Sequence, residues 1–310
     1  MTERETQAFE ASERRLFETF GLEVGVRYLE LREPRLRTRV LETGAGEPLL
    51  LVHGGGSVAA EWAPLLAELR SYRCFAVDRP GCGGTDRFDY SGIDLREHAV
   101  SFLASTLDGL GLERAPLVAN SMGGLWALWL ALDRPERVSS LALLGYPALL
   151  LDAGAPFGFR LLGVRGLNRL LFRLQPPSLK QAQRILEQVY GKPAAARMPP
   201  EFVEVQYRSE LIAGAGDAFR TLLELTIGVR GWAAEWSLGA DELGRIEQPT
   251  VFVWGEDDVF ASPEYGRRAC EVMRDARLEV IPGGHCPWWD DPPRCGELVS
   301  AFLRSPTPVA

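Results

Sequence analysis

The sequence predicts an α/β protein: a mostly parallel central sheet flanked by helices, with a helical segment inserted into the chain. Three observations carry that expectation. Short apolar runs alternate with helix-patterned stretches, the mark of β-α-β units whose strands are buried on both faces. That rhythm stops at Tyr146 and resumes at PTVFVWG (249–255). The stretch between, about 146–240, is rich in leucine and arginine, holds no convincing strand and is punctuated by QPPS, GKP and MPP. The expected division is a first core part at 1–145 with an N-terminal helix and antiparallel strands, a helical cap at 146–240, and a second core part at 241–310.

The elements follow in order. Residues 1–20 read as a charged amphipathic helix lying outside the core. VRYLELR (26–32) and LRTRVLE (36–42) read as strands, with Pro34 in the turn between them. PLLLV (48–52) is a buried strand, followed by the glycine-rich turn HGGGS and a helical stretch, AAEWAPLLAELR (59–70). CFAVD (74–78) is the next strand, and RPGCGGTDRFDYSGID is a long loop with turn chemistry. LREHAVSFLASTLDGLG (95–111) is helix, APLVAN (115–120) strand, and GGLWALWLALDRP (123–135) a helix ended by Pro135. SSLALLG (139–145) closes the first part as a strand. After the insertion come strand PTVFVWG, helix PEYGRRACEVM, strand RLEVIPG (277–283) and helix PPRCGELVSAFLR.

Bulk properties exclude several function classes. A net charge of −8 over 310 residues argues against a nucleic-acid binder, which needs a basic face. The five cysteines are an odd number without paired C-x-x-C spacing, so they suggest neither a disulfide framework nor a zinc site. No two histidines share ligand spacing, so no metal is implied; the expected reaction, given below, needs no cofactor. The N-terminus has no apolar h-region, and no stretch reaches the ~18 apolar residues of a membrane span. The expectation is a cytoplasmic protein without stable membrane insertion, acting on a small molecule.

Ligands of open α/β sheets bind at the carboxyl ends of the strands, so reactive residues just after a strand are the informative ones. Ser121 directly follows APLVAN and precedes a helix, with Gly123 and Gly124 on the helix side and Ala119 on the strand side. It reads either as a nucleophile on a strained elbow or as a helix cap. His53-Gly54-Gly55-Gly56 follows PLLLV, and its glycines let backbone amides turn inward as an oxyanion hole. The amide of Met122, the residue after the serine, supplies the other donor. Asp258 lies three residues past Gly255, with Asp257 as its competitor; His285 follows the last strand in a chain with three histidines. A serine hydroxyl needs a base to take its proton, and the base needs a carboxylate to set its tautomer. The third histidine, His98, falls inside a helix and reads as a packing residue.

On LLLVHGGG, VDRPGCGGTD, NSMGGLWAL, VFVWGEDD and IPGGHCPWWDDPP the chain resembles the α/β-hydrolase fold family, over roughly 36–145 and 246–304. The resemblance implies Ser121 as nucleophile, His285 as general base and acid, and Asp258 as its orienter. It also implies the amides of Gly55 and Met122 as the oxyanion hole, and a structural role for Asp78 and Arg79. HGGG with NSMGG is similar to the C–C bond hydrolases of aromatic ring-cleavage products. Those enzymes carry an asparagine about ten residues past HGGG and a tryptophan after the histidine, where this chain has SVAAEWAPL and Cys286. The expected reaction is hydrolysis of an ester, thioester or lactone of a small, mostly apolar substrate through an acyl-enzyme. C–C hydrolysis and non-enzymatic binding on the same fold are the alternatives. Gly54, Trp232 and Trp288 are candidate pocket residues, with Trp236 and Trp289 beside them; Cys286 reads as a small filler. FRLLGVRGLNRLLFRL (159–174) reads as cap helices with solvated arginines, or as a wall of an acyl or aromatic pocket.

Overall fold

A computed structural model describes residues 3–228 and 231–304. Helix α1 (Glu3–Thr19) leads into β1 (Gly25–Leu31), β2 (Leu36–Thr43) and β3 (Pro48–Val52). Then come α2 (Ala63–Glu68), β4 (Arg73–Val77), α3 (Leu95–Leu110), β5 (Ala115–Asn120), α4 (Ser121–Asp133) and β6 (Val138–Leu144). Six helices follow without a strand: α5 (Phe157–Leu162), α6 (Leu167–Leu174), α7 (Leu179–Val189), α8 (Lys192–Arg197), α9 (Pro200–Leu211) and α10 (Ala215–Thr226). A short ribbon of β7 (Ile227–Gly228) and β8 (Gly231–Trp232) precedes α11 (Ala240–Leu243). The chain ends with β9 (Thr250–Gly255), α12 (Glu264–Val272), β10 (Ala276–Ile281), α13 (Pro287–Asp290) and α14 (Pro292–Arg304).

Eight strands form one sheet in the order β1-β2-β4-β3-β5-β6-β9-β10. The pairs β1/β2 and β2/β4 are antiparallel and the rest are parallel. Strand alternation divides the apolar residues between two cores. Leu50, Val52, Leu117, Ala119 and Phe252 enter one; Leu49, Leu51, Val118, Val251 and Val253 enter the other. A period of two therefore buries both faces, and each fully buried leucine or valine contributes roughly 1.5–3 kcal/mol. The chain turns from β3 to β4 on one side and places β5 on the other. The crevice beyond β3 and β5 is thus a topological switch point, where such sheets bind ligands.

The structure departs from the sequence expectations in three places. Helix α1 does not lie outside the core. Phe9, Ser12, Glu13, Leu16 and Phe17 are buried, and the helix packs on α9. Their i, i+3, i+4, i+7, i+8 spacing is one buried helix face, apolar at Phe9, Leu16 and Phe17 and interrupted by Ser12 and Glu13, and it is masked in the sequence by the charges around it. Glu13 meets the buried guanidinium of Arg39, which also reaches Asp78 at 3.0 Å. Burial pushes the Glu13 carboxyl up to about 7, against the pull of Arg39. The stretch 59–70 is a 3-10 turn over Ala59–Trp62 before α2, because Pro64 has no amide to donate and fits only the first helical turn. The β7–β8 ribbon was not expected; two residues a side are too few to show a period.

Among the described residues no helix is long and apolar enough to cross a membrane.

Candidate active site

Ser121 sits where β5 becomes α4, with φ +52°. A side chain with a Cβ rarely adopts this left-handed region, so the turn is strained. Ser121 is the first helical residue, while Asn120 occupies the capping position. The strand and helix pass so close that a Cβ on Gly123 would lie 2.3 Å from the Val52 carbonyl oxygen and 2.6 Å from that of His53. Ala119 is fully buried in the ladder between Val52 and Leu143, so its methyl group is accommodated on the strand side. The Asn120 side chain ties the turn to its surroundings. Its Nδ2 donates to the Leu144 carbonyl at 2.6 Å and the His285 carbonyl at 3.2 Å.

His285, in the loop after β10, and Asp258, in the loop after β9, are brought together. His285 Nδ1 lies 3.0 and 2.9 Å from the two carboxylate oxygens of Asp258. The carboxylate is itself positioned, accepting the Tyr146 amide at 2.8 Å and the Phe260 amide at 2.9 Å. A carboxylate can only accept, so Nδ1 carries a proton, and in the neutral ring the lone pair is on Nε2. That Nε2 is buried and has no hydrogen-bond partner. The ring lies against Phe260, centroids 4.3 Å apart. Of the two aspartates the sequence left open, Asp258 reaches the imidazole; Asp257 shows only its amide bonded, to the Gly283 carbonyl at 2.9 Å.

Ser121 and His285 line one cavity of about 830 Å³, with Gly54, Gly55 and Met122 in the same wall. Its other walls come largely from the insertion, including Leu162, Ile185, Phe219 and Leu223. The Met122 amide belongs to the first turn of α4, where N–H groups have no partner within the helix. A Cβ on Gly54 would come 2.7 Å from Asn120 Oδ1 and 3.2 Å from Ser121 Cβ, so only glycine fits without a shift of those side chains.

Of the candidate pocket tryptophans, Trp232 lines the cavity and Trp288 does not. Trp288 is fully buried, stacked 4.3 Å from Trp62, and donates its indole N–H to the Glu61 carbonyl at 2.9 Å. Both its face and its polar edge are thus used in packing. Trp289 stacks on Phe202 and Trp236 packs edge-on to Trp129, so neither serves the cavity wall. Cys286 is in that wall, and burial raises its thiol well above the usual range, which disfavours a thiolate.

Sequence reasoning missed Glu61 and Tyr190. Glu61 is buried in the cavity wall; its Oε1 accepts the Gly54 amide at 3.2 Å and its Oε2 the Tyr190 hydroxyl at 2.9 Å. Burial raises its carboxyl above the ordinary range. The signal was present as one acidic residue inside the apolar stretch AAEWAPLL; Tyr190 carried none. Among the described residues no group of three His, Cys, Asp or Glu side chains is placed to hold a metal ion.

A serine on a strained strand–helix turn and a carboxylate-held imidazole after the last two strands place this chain in the class of open-sheet α/β hydrolases. A family model described as "Alpha/beta hydrolase family" matches residues 49–297, and the chain belongs to that family. It is 33% identical over 280 residues to a 2-hydroxy-6-oxononadienedioate/2-hydroxy-6-oxononatrienedioate hydrolase of Burkholderia vietnamiensis, covering 87% of this chain and 91% of the relative. Two solved structures share the fold. A carboxylesterase from Bacillus subtilis superposes with a TM-score of 0.77 at 19% identity, covering 97% of this chain and 98% of the other. A meta-cleavage product hydrolase from Pseudomonas fluorescens gives 0.75 at 22% identity, covering 91% and 98%.

Proposed function

We propose that this protein is a cofactor-independent serine hydrolase that cleaves an ester-type bond, in an ester, thioester or lactone, of a small and mostly apolar substrate. The observation that carries the reading is the His285 imidazole. Asp258 engages Nδ1, and Nε2 is left without a partner in a cavity shared with Ser121. In this reading Nε2 takes the Ser121 proton as Oγ attacks the substrate carbonyl. The oxyanion is met by the Gly55 and Met122 amides and by the positive end of α4. His285 then protonates the leaving group, and a water activated by the same nitrogen releases the acyl-enzyme. Each oxyanion donor contributes roughly 10²–10³-fold in kcat.

The cavity favours an uncharged acyl compound. Much of its wall is apolar, and its two buried or half-buried carboxyls, Glu61 and Glu210, are raised by burial, Glu210 to about 7. Of its arginines, Arg220 is committed to Glu224 at 2.6 Å, and Arg169 and Arg173 are exposed to solvent. A second reading, C–C hydrolysis of a ring-cleavage product, is favoured by the dienedioate hydrolase from Burkholderia vietnamiensis.

The test is labelling with a fluorophosphonate probe, followed by a panel of p-nitrophenyl esters, lactones and dienones on wild type and Ser121→Ala. Ester turnover lost in the variant is the expected result. Turnover confined to dienones would move the assignment to C–C cleavage. No labelling, with tight retention of a small molecule, would mean a binding protein. Added alcohol, amine or peroxide separates acyl transfer from hydrolysis by its product.

A further inference from the structure

The loop after β4 sends a charge to the glycine turn after β3 that the reading above does not use. Arg79 is 1% exposed, yet among the described residues its guanidinium makes no ion pair. Its Nη2 donates to the Gly54 carbonyl at 2.6 Å, while Nε and Nη1 are buried without partners. The ring of Trp126 faces it at 4.9 Å. Burying a charge costs several kcal/mol, and what offsets it here is the Gly54 carbonyl, the Trp126 face and the field of the nearby Glu61 carboxyl, all at the glycine turn. The same Gly54 carbonyl is approached by His53 Nδ1 at 2.8 Å, and His53 Nε2 accepts the Arg79 amide at 3.0 Å. The second bond requires an unprotonated Nε2, so Nδ1 carries the hydrogen and donates it to Gly54. Burial, with Arg79 nearby, holds the imidazole well below its usual pKa and keeps it in this neutral form.

The Gly54 carbonyl and the Gly55 amide are two ends of one trans peptide, so they point in opposite directions. A carbonyl held by two donors fixes the plane, and with it the direction of the Gly55 N–H. Hydrogen bonding at the carbonyl also polarises the unit and strengthens the N–H as a donor.

We propose that Arg79 and His53 are positioning residues for the oxyanion hole: together they clamp the Gly54 carbonyl so that the Gly55 amide is aimed and polarised toward the tetrahedral oxyanion. The proposal rests on the serine-hydrolase reading. It assigns to Arg79 a part in catalysis rather than in loop structure alone. Neither side chain touches substrate; both act through one peptide bond.

The experiment compares wild type with His53→Ala, His53→Asn and Arg79→Lys. It reads kcat and KM on a p-nitrophenyl ester, the rate of fluorophosphonate labelling, and affinity for a trifluoromethyl ketone, which forms a tetrahedral adduct. For His53→Ala and Arg79→Lys the expected loss is roughly 10–100-fold in kcat, in labelling and in ketone affinity, with KM within about threefold of wild type. His53→Asn, whose side-chain amide can donate to the same carbonyl, recovers most of that loss. The proposal is overturned if ketone affinity is unchanged, if KM rises in step with the fall in kcat, or if Asn does no better than Ala. Failure of all three variants to fold would assign the pair to folding alone and overturn it too. A wild type that the probe does not label at Ser121 defeats the serine-hydrolase reading; normal labelling of both wild type and variants defeats only the clamp.

Discussion

Tyr190, at the end of helix α7 in the insertion, donates its hydroxyl to Glu61 at 2.9 Å, although the two residues are 129 positions apart. Glu61 passes that contact to the glycine turn through the Gly54 amide. The insertion and the turn beside Ser121 are therefore joined by one buried carboxyl. Removing its donor leaves that carboxyl less satisfied in a desolvated site, which costs ~1–3 kcal/mol. Tyr190→Phe is expected to lower unfolding free energy by that amount in urea titrations. A change under ~0.5 kcal/mol would show the bond to be energetically idle.

Asp258 sets which nitrogen of His285 is free. Asp258→Asn keeps the shape but can present an amide N–H to Nδ1, which drives the proton to Nε2 and removes the base. By analogy with other serine triads the loss in kcat is roughly 10⁴-fold, with little change in KM. Steady-state kinetics on any ester found in the panel measures it. A loss below tenfold would contradict the proposed role.

The elbow can be tested by packing alone. In Gly123→Ala the new methyl meets two backbone carbonyl oxygens, at 2.3 and 2.6 Å, one from Val52 at the end of β3 and one from His53 just after it, and backbone gives way less readily than a side chain. The variant is expected to be strongly destabilised, by more than ~3 kcal/mol, or not to fold. Gly124→Ala is the control, since its Cβ meets Pro147 at 3.2 Å and needs only a small shift. Thermal midpoints that differ little between the two would argue against the close approach.

His98 gives a prediction about pH. Burial, with Arg79 as a lesser cause, lowers its pKa from 6.5 to about 4; it stacks 4.3 Å from Phe88. Below pH 6.5 the unfolded chain takes up a proton that the folded chain refuses until about pH 4, so this histidine makes stability fall with acid across that window. The slope is at most ~1.4 kcal/mol per pH unit. His98→Gln should flatten the stability profile between those limits, as measured by denaturant unfolding at several pH values. Glu13, raised to about 7, works the other way: its contribution is complete below 4.5 and lost as pH rises through 7. An unchanged acid slope in His98→Gln would place the sensitivity elsewhere.

Much of the fold is legible in the sequence. The strands β3, β4, β5, β6 and β9 stand out because both their faces are buried, which makes each a short, nearly unbroken apolar run. Ser121, Asp258 and His285 stand out because each follows a strand. What misled was local charge around a buried stripe, as in α1, and indole side chains, whose chemistry suits a packed interior as well as a pocket. Trp288 is the instructive example. Its neighbours in sequence place it beside His285, yet its ring faces Trp62 and its N–H goes to Glu61.

The sequence by itself determined the class of fold, the order in which serine, aspartate and histidine follow their strands, and the glycines that let the backbone turn tightly at the site. These depend on side-chain period and residue type, which are local properties of the chain. The tertiary structure decided which aspartate meets His285, that α1 is part of the core, and that Tyr190, Glu61, Arg79 and His53 converge on one glycine turn. Each of those is a contact between segments far apart in sequence, and burial gives the polar groups brought together there few partners besides one another.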